Sequence, residues 1–110
     1  MSSTAVPTTV PTLLRALEER DLETVHAQFT PDAAIEDEGE TVHGSAGVER
    51  WATRAFGYDA TYTIDDVAAG DEGETVVTTT TAGDFPGSPL VFHWHITFAG
   101  DRIASLRIDL

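Results

Sequence analysis

Apolar positions recur at helical spacing through the first half of the chain and alternate through the second. In "VPTLLRALEERD", Val10, Leu13, Leu14 and Leu17 fall on one side of a helix, and Pro11 suits its first turn. Asp21 is placed to cap a second helix, "LETVHAQF", with Leu22, Val25 and Phe29 as its apolar side and Pro31 as its stop. "DAAIEDEGETVHG" predicts a short strand, a turn at Glu38-Gly39 and a return strand. Ser45 predicts the cap of a third helix, "AGVERWATRAF", whose apolar side is Val48, Trp51, Ala52, Ala55 and Phe56 and which Gly57 ends.

After Tyr58 the period changes to two. "ATYTIDDV", "ETVVTTTTAGD", "PLVFHWHITF" and "RIASLRIDL" read as strands, separated by the turn-like "AAGDEG", "FPGS" and "AGD". This order predicts an α+β domain in which helices cover one face of a curved antiparallel sheet. Residues 1–8 are polar and rich in Pro and Thr and read as a flexible tail.

Composition narrows the partners. At 110 residues the chain makes one domain, 1–110, with one core. Without cysteine it has no disulfide, thiolate nucleophile or cysteine-ligated metal. No apolar run approaches the ~20 residues of a membrane span, and "MSSTAVPTTVP" has neither the basic nor the apolar region of a secretory signal, so a cytoplasmic location is expected. Asp and Glu total 19 against 6 basic residues, all arginine, for a net charge of -13. Such a surface repels nucleic acid and anionic lipid. Abundant carboxylates without lysine resemble proteins of halophilic archaea. Molar salt screens carboxylate repulsion over ~3 Å, whereas dilute buffer leaves it to strain the fold.

The strings "ALEERDLETVHAQFTPDAAIED", "VHGSAGVERW" and "FAGDRIASLRIDL", with the order of elements around them, resemble the nuclear-transport-factor-2-like superfamily and its SnoaL-like, polyketide-cyclase-related branch. The resemblance covers residues 10 to 110. It implies a cone, with the sheet wrapped around three N-terminal helices, a pocket at the open end, and a homodimer through the outer sheet face. Relatives of this kind use an acidic residue or a His-Asp pair as acid-base groups in an apolar cavity, and here Asp37, His93, His95 and Asp109 are the candidate bearers of those roles. With Leu110 directly after the last predicted strand, that cavity is expected to be open or closed by a partner.

Alternation sorts the candidate side chains. In residues 90–98, Phe92, Trp94, Ile96 and Phe98 share one face, and Val91, His93, His95 and Thr97 share the other. The aromatics suit the core and pocket wall. The histidines then face solvent or a second subunit, unless a bulge turns one inward as an acid-base group. His93, His95 and Asp109 are also the nearest approach to a metal set. Arg107 would stand beside that ion, and no metal is expected. Ile35 and Asp37 project from one face of the first strand. With Ile35 inward, Asp37 stands near the cone's mouth, where poor solvation would raise its pKa and suit it to proton transfer. The other reading of "EDEGE" is a solvated acidic turn. Tyr62, in phase with Ile64, is the candidate donor to a substrate carbonyl, and Trp51 and Phe56 are further candidate lining residues.

No phosphate-cradling glycine loop is present, so no nucleotide cofactor is expected. The expected function is binding of a small apolar ligand. The alternatives are a cofactor-free lyase, isomerase or cyclase acting on a small carbonyl compound, and a structural dimer without a ligand.

Overall fold

A computed structural model describes residues 8–110. Seven of the eight residues read as a tail therefore lie outside the described residues. Helix α1 (Thr9–Glu19) buries Val10, Leu13, Leu14 and Leu17. It ends where Arg20 takes a left-handed conformation (φ 57°) and the backbone N–H of Asp21 bonds back to Ala16 O. Asp21 then caps α2 (Leu22–Ala27), its carboxylate accepting from the N–H and hydroxyl of Thr24.

Helix α2 is shorter than its periodicity predicts. Phe29 opens strand β1 (Phe29–Asp37) instead of closing the helix. The reason is long-range. The Ile103 N–H bonds to Gln28 O, and Phe29 pairs with Ile103, which draws the chain into the sheet before Pro31 is reached. Pro31 lies where the register shifts between Phe29 and Ala34, a stretch that tolerates its missing N–H.

Glu38 and Gly39 turn β1 into β2 (Glu40–His43) with φ of 54° and 77°, the two left-handed residues of a tight hairpin. Helix α3 (Gly44–Phe56) follows at once. Its cap position is His43 in extended conformation with no side-chain cap, so Ser45 does not cap it. Gly44 has φ 70°, which a residue without Cβ adopts freely, and this lets strand turn into helix without a capping side chain.

The remaining strands are β3 (Thr61–Ala69), β4 (Thr75–Ala82), β5 (Leu90–Ala99) and β6 (Arg102–Asp109), with a single helical turn at Asp71–Gly73. The sheet order is β2-β1-β6-β5-β4-β3. Every neighbouring pair is antiparallel except β1 and β6, the first and last strands, which run parallel. Register shifts between Ile64 and Asp66 and between Thr97 and Phe98 add bends to the sheet. The three helices lie within the concavity, consistent with a cone. Core residues of the sheet include Ile35, Val77, Trp94, Ile96, Ile103 and Leu106, packed with Leu13, Leu17, Val48 and Trp51 of the helices.

Candidate functional site

The core does not fill the concavity. At its open end lies a cavity of about 360 Å³, within the range of small-molecule sites. Helix α3 provides one wall through Trp51, Ala55 and, past its end, Tyr58. The sheet provides the opposite wall through Tyr62, Phe92, Trp94 and Ile108, and the loop before β5 adds Phe85. Tyr62 and Trp51 both stand edge-on to Trp94, with centroids at 5.9 and 6.2 Å and planes at 84° and 81°. Phe85 meets Phe92 at 6.4 Å on the other side.

Asp37 ends β1 and brings a carboxylate to this apolar wall. Its Oδ2 accepts a hydrogen bond from Trp51 Nε1–H at 3.0 Å. Burial pushes its pKa above the usual carboxylate range. The Trp51 bond opposes that shift, and the charge of Glu38 adds to it while Arg54 works against it. Burial also drives the Tyr62 phenol far above its ordinary value, helped by the charges of Asp37 and Glu18. Tyr62 therefore keeps its proton and serves only as a neutral hydrogen-bonding group.

The rim is polar. Arg54 bonds to Glu40 and lies 3.5 Å from Glu38, and Tyr58 donates its hydroxyl to Glu38 at 3.2 Å. Arg50 joins Glu40 at 2.9 Å. These contacts hold the Glu38-Gly39 turn against α3, and with it the carboxylate of Asp37. Being open to solvent in part or in full, each pair is worth about 0–1 kcal/mol.

Of the residues expected at the site, Asp37, Trp51, Tyr62, Phe92 and Trp94 line the cavity. Ile35 and Phe56 do not. Ile35 precedes Asp37 by one pleat and lies deeper in the core, 1% exposed. Phe56 follows Ala55 by one helical step, about 100° further round α3, and packs at the edge of the core. His93, His95 and Asp109 lie on the outer sheet face. His93 Nδ1 is 3.2 Å from Thr78 Oγ1. His95 sits between Glu74 (3.6 Å) and Asp109 (3.3 Å), and Arg107 donates to Asp109 at 2.8 Å. Among the described residues no group of three or more His, Asp or Glu side chains is arranged to hold a metal ion.

Sequence reasoning missed Arg54, Tyr58, Thr81 and Phe85 as lining residues. Tyr58 continues the spacing of Trp51 and Ala55 and was legible as helical phase. Thr81 is in phase with Val77 and Thr79, but a run of identical threonines offers no contrast between faces. Phe85 belongs to a loop, where no period operates.

The profile of the SnoaL-like domain family matches residues 10–106. No curated protein matches the sequence. Among solved structures, a candidate polyketide cyclase from Sinorhizobium meliloti is 27% identical, with a TM-score of 0.86 over 99% of this chain and 100% of that one. A hypothetical protein with a ketosteroid isomerase-like fold from Catenulispora acidiphila, in complex with trimethylamine, is 17% identical, with a TM-score of 0.79 over 96% of this chain and 87% of that one. A candidate ketosteroid isomerase from Kribbella flavida is 15% identical, with a TM-score of 0.75 over 93% and 74% of the two chains. At these last two identities the likeness is one of fold.

Proposed function

The chain belongs to the SnoaL-like domain family, and on that premise we propose that its cavity binds a small, predominantly apolar molecule. The observation that carries this reading is a cavity of about 360 Å³ walled by aromatic rings, with one carboxylate, Asp37, set into the wall by the Trp51 N–H. Both tryptophans of the chain line the cavity, so intrinsic fluorescence reports on it alone. A set of small cyclic ketones and hydrocarbons should perturb that emission saturably at micromolar to millimolar concentration. Emission unmoved by any of them removes the reading.

A second reading is favoured by the position and raised pKa of Asp37. A poorly solvated carboxylate held on one oxygen can take a C–H proton next to a carbonyl. The C–H electron pair moves into the carbonyl as an enolate, and protonated Asp37 returns the proton to carbon. The neutral Tyr62 phenol supplies a donor to the same cavity. The candidate polyketide cyclase and ketosteroid isomerase among the structural relatives are in keeping with such chemistry. Exchange of α-hydrogen for deuterium in a bound ketone should be seen in D2O and lost in Asp37→Asn. Equal exchange in both proteins sinks the catalytic reading and leaves binding intact.

We also propose that two copies pair through the outer sheet face and that the protein works in the cytoplasm at high salt. Thr78, Thr80, Val91 and His93 form a strip there without carboxylate or guanidinium groups, continued along β5 by His95 and Thr97, and Val91 is 48% exposed. Asp65, Glu74, Arg107 and Asp109 border it. Light scattering in molar KCl should give twice the 11.8 kDa chain mass; a single chain mass at high micromolar concentration contradicts the pairing.

A further inference from the structure

Beneath the cavity runs a buried chain of hydrogen bonds whose direction can be worked out. Trp94 Nε1–H donates to Thr79 Oγ1 at 3.0 Å, and Thr79 Oγ1 lies 3.0 Å from Thr81 Oγ1. Distance alone leaves the donor of the second bond open. Donor and acceptor inventory closes it. An indole N–H can only donate, so the Thr79 oxygen is an acceptor in the first bond. Thr79 is 0% exposed, and its own hydroxyl hydrogen needs an acceptor, because an unmade buried hydrogen bond costs about 1–3 kcal/mol. Among the described residues the one side-chain oxygen within reach of it is Thr81 Oγ1. Thr79 therefore donates to Thr81.

Thr81 is left as an acceptor with its own hydrogen uncommitted. It is 5% exposed, so bulk water does not serve it freely. It lines the cavity, and its strand partners on either side, Tyr62 and Leu90, line the cavity too. Among the described residues the chain Trp94, Thr79, Thr81 thus ends in an O–H with no acceptor, turned to the cavity. Each bond polarises the next, which makes that terminal hydrogen a better donor.

We infer that the Thr81 hydroxyl is a preset hydrogen-bond donor that selects molecules carrying a carbonyl oxygen over hydrocarbons of the same shape. The inference rests on the reading of the cavity as a ligand site and names the chemistry that site prefers. Asp37 cannot play this part while ionised, since a carboxylate only accepts. Thr81 is a specificity-determining residue, and Thr79 and Trp94 act through it as positioning residues.

The test uses a matched pair of probes, 4-tert-butylcyclohexanone and its analogue with =CH2 in place of =O. Each is titrated by tryptophan fluorescence into the full chain, into Thr81→Val and into Thr81→Ser. Valine keeps the volume and removes the donor; serine keeps the donor. Thr81→Val should weaken the ketone about tenfold and leave the methylene analogue unchanged or tighter, while Thr81→Ser stays near the parent for both. The infrared C=O stretch of the bound ketone should move to lower wavenumber in the parent and Thr81→Ser, and stay at its apolar-solvent position in Thr81→Val. Thermal unfolding of the variants confirms that each is folded before titration. If Thr81→Val changes both probes by one factor, or neither, the selectivity inference is overturned and the binding site stands. If neither probe binds the parent, the binding reading itself fails and takes the inference with it.

Discussion

Trp94 and His93 are neighbours on β5 and share a backbone, yet their surroundings have almost nothing in common. Trp94 is 3% exposed, stands edge-on to Trp51 and Tyr62, and gives its N–H to a buried threonine. His93 touches Thr78 on the other side of the sheet, beside a half-exposed Val91. The inner face is apolar, and among its few polar groups Asp37 and Thr79 are held by the indole N–H groups of Trp51 and Trp94. On the outer face, carboxylates and Arg107 gather at the border of a strip that has neither carboxylate nor guanidinium groups. Chemistry that depends on a desolvated group can only be sought on the first, and salt- or partner-dependent behaviour on the second.

The contrast is open to direct attack. Trp94→Ala removes a buried ring and leaves Thr79 without its donor, and should cost about 3–5 kcal/mol in chemical unfolding, against about 0.5 kcal/mol or less for His93→Ala. That contrast holds for the single chain: where the proposed pairing forms, the His93 loss should grow with protein concentration, and comparable losses at both positions in dilute protein would mean that the outer face of one chain is as tightly packed as the core. Salt comes next in size. With a net charge of -13 and no lysine, the unfolding midpoint should climb by several degrees from 0.1 to 2 M KCl, and sodium perchlorate at the same ionic strength should reproduce the rise if screening is the cause. A rise in KCl alone would assign it to strengthened burial.

Asp37→Asn probes the inner face through pH. The folded-state pKa of Asp37 lies above its unfolded value, so folding favours the protonated form. Below the unfolded pKa both states are protonated and the aspartate carries no penalty. As pH rises through the folded pKa, the buried charge costs stability. Asparagine, which still accepts from Trp51, should therefore raise the melting point at pH 7, with a gain that fades as the pH falls toward 3. A gain that does not vary with pH would show that folding does not raise this pKa. The smallest effect belongs to the outer ion pairs. Asp109→Asn breaks contacts to His95 and Arg107 at a half-exposed carboxylate and should change stability by no more than about 1 kcal/mol, less in molar salt.

Much of this arrangement was legible in the chain. Helical spacing located α1 and α3, alternation divided β5 into an aromatic and a histidine face, and Asp21 announced the cap of α2. These features are local, and each is set by which residues a few positions apart can share a face or a hydrogen bond. Phe29 shows where that logic stops: its spacing is helical, but a bond from Ile103 more than seventy residues away makes it a strand.

The site lies mostly beyond the same limit. That Asp37 and Tyr62 fall on inward faces could be read from period two. That Asp37 meets the indole of Trp51 depends on how the β1–β2 hairpin is held against α3 by Arg54 and Arg50. That Thr81 ends a buried relay depends on the register that sets Thr79 against Phe92 and Thr78 against His93. By itself the sequence determined the elements, the faces and the acidic surface, because these follow from side-chain periodicity and charge. Tertiary structure alone decided which groups share the cavity, because pairing register, a parallel strand contact and the bulges bring together residues whose separation along the chain carries no signal.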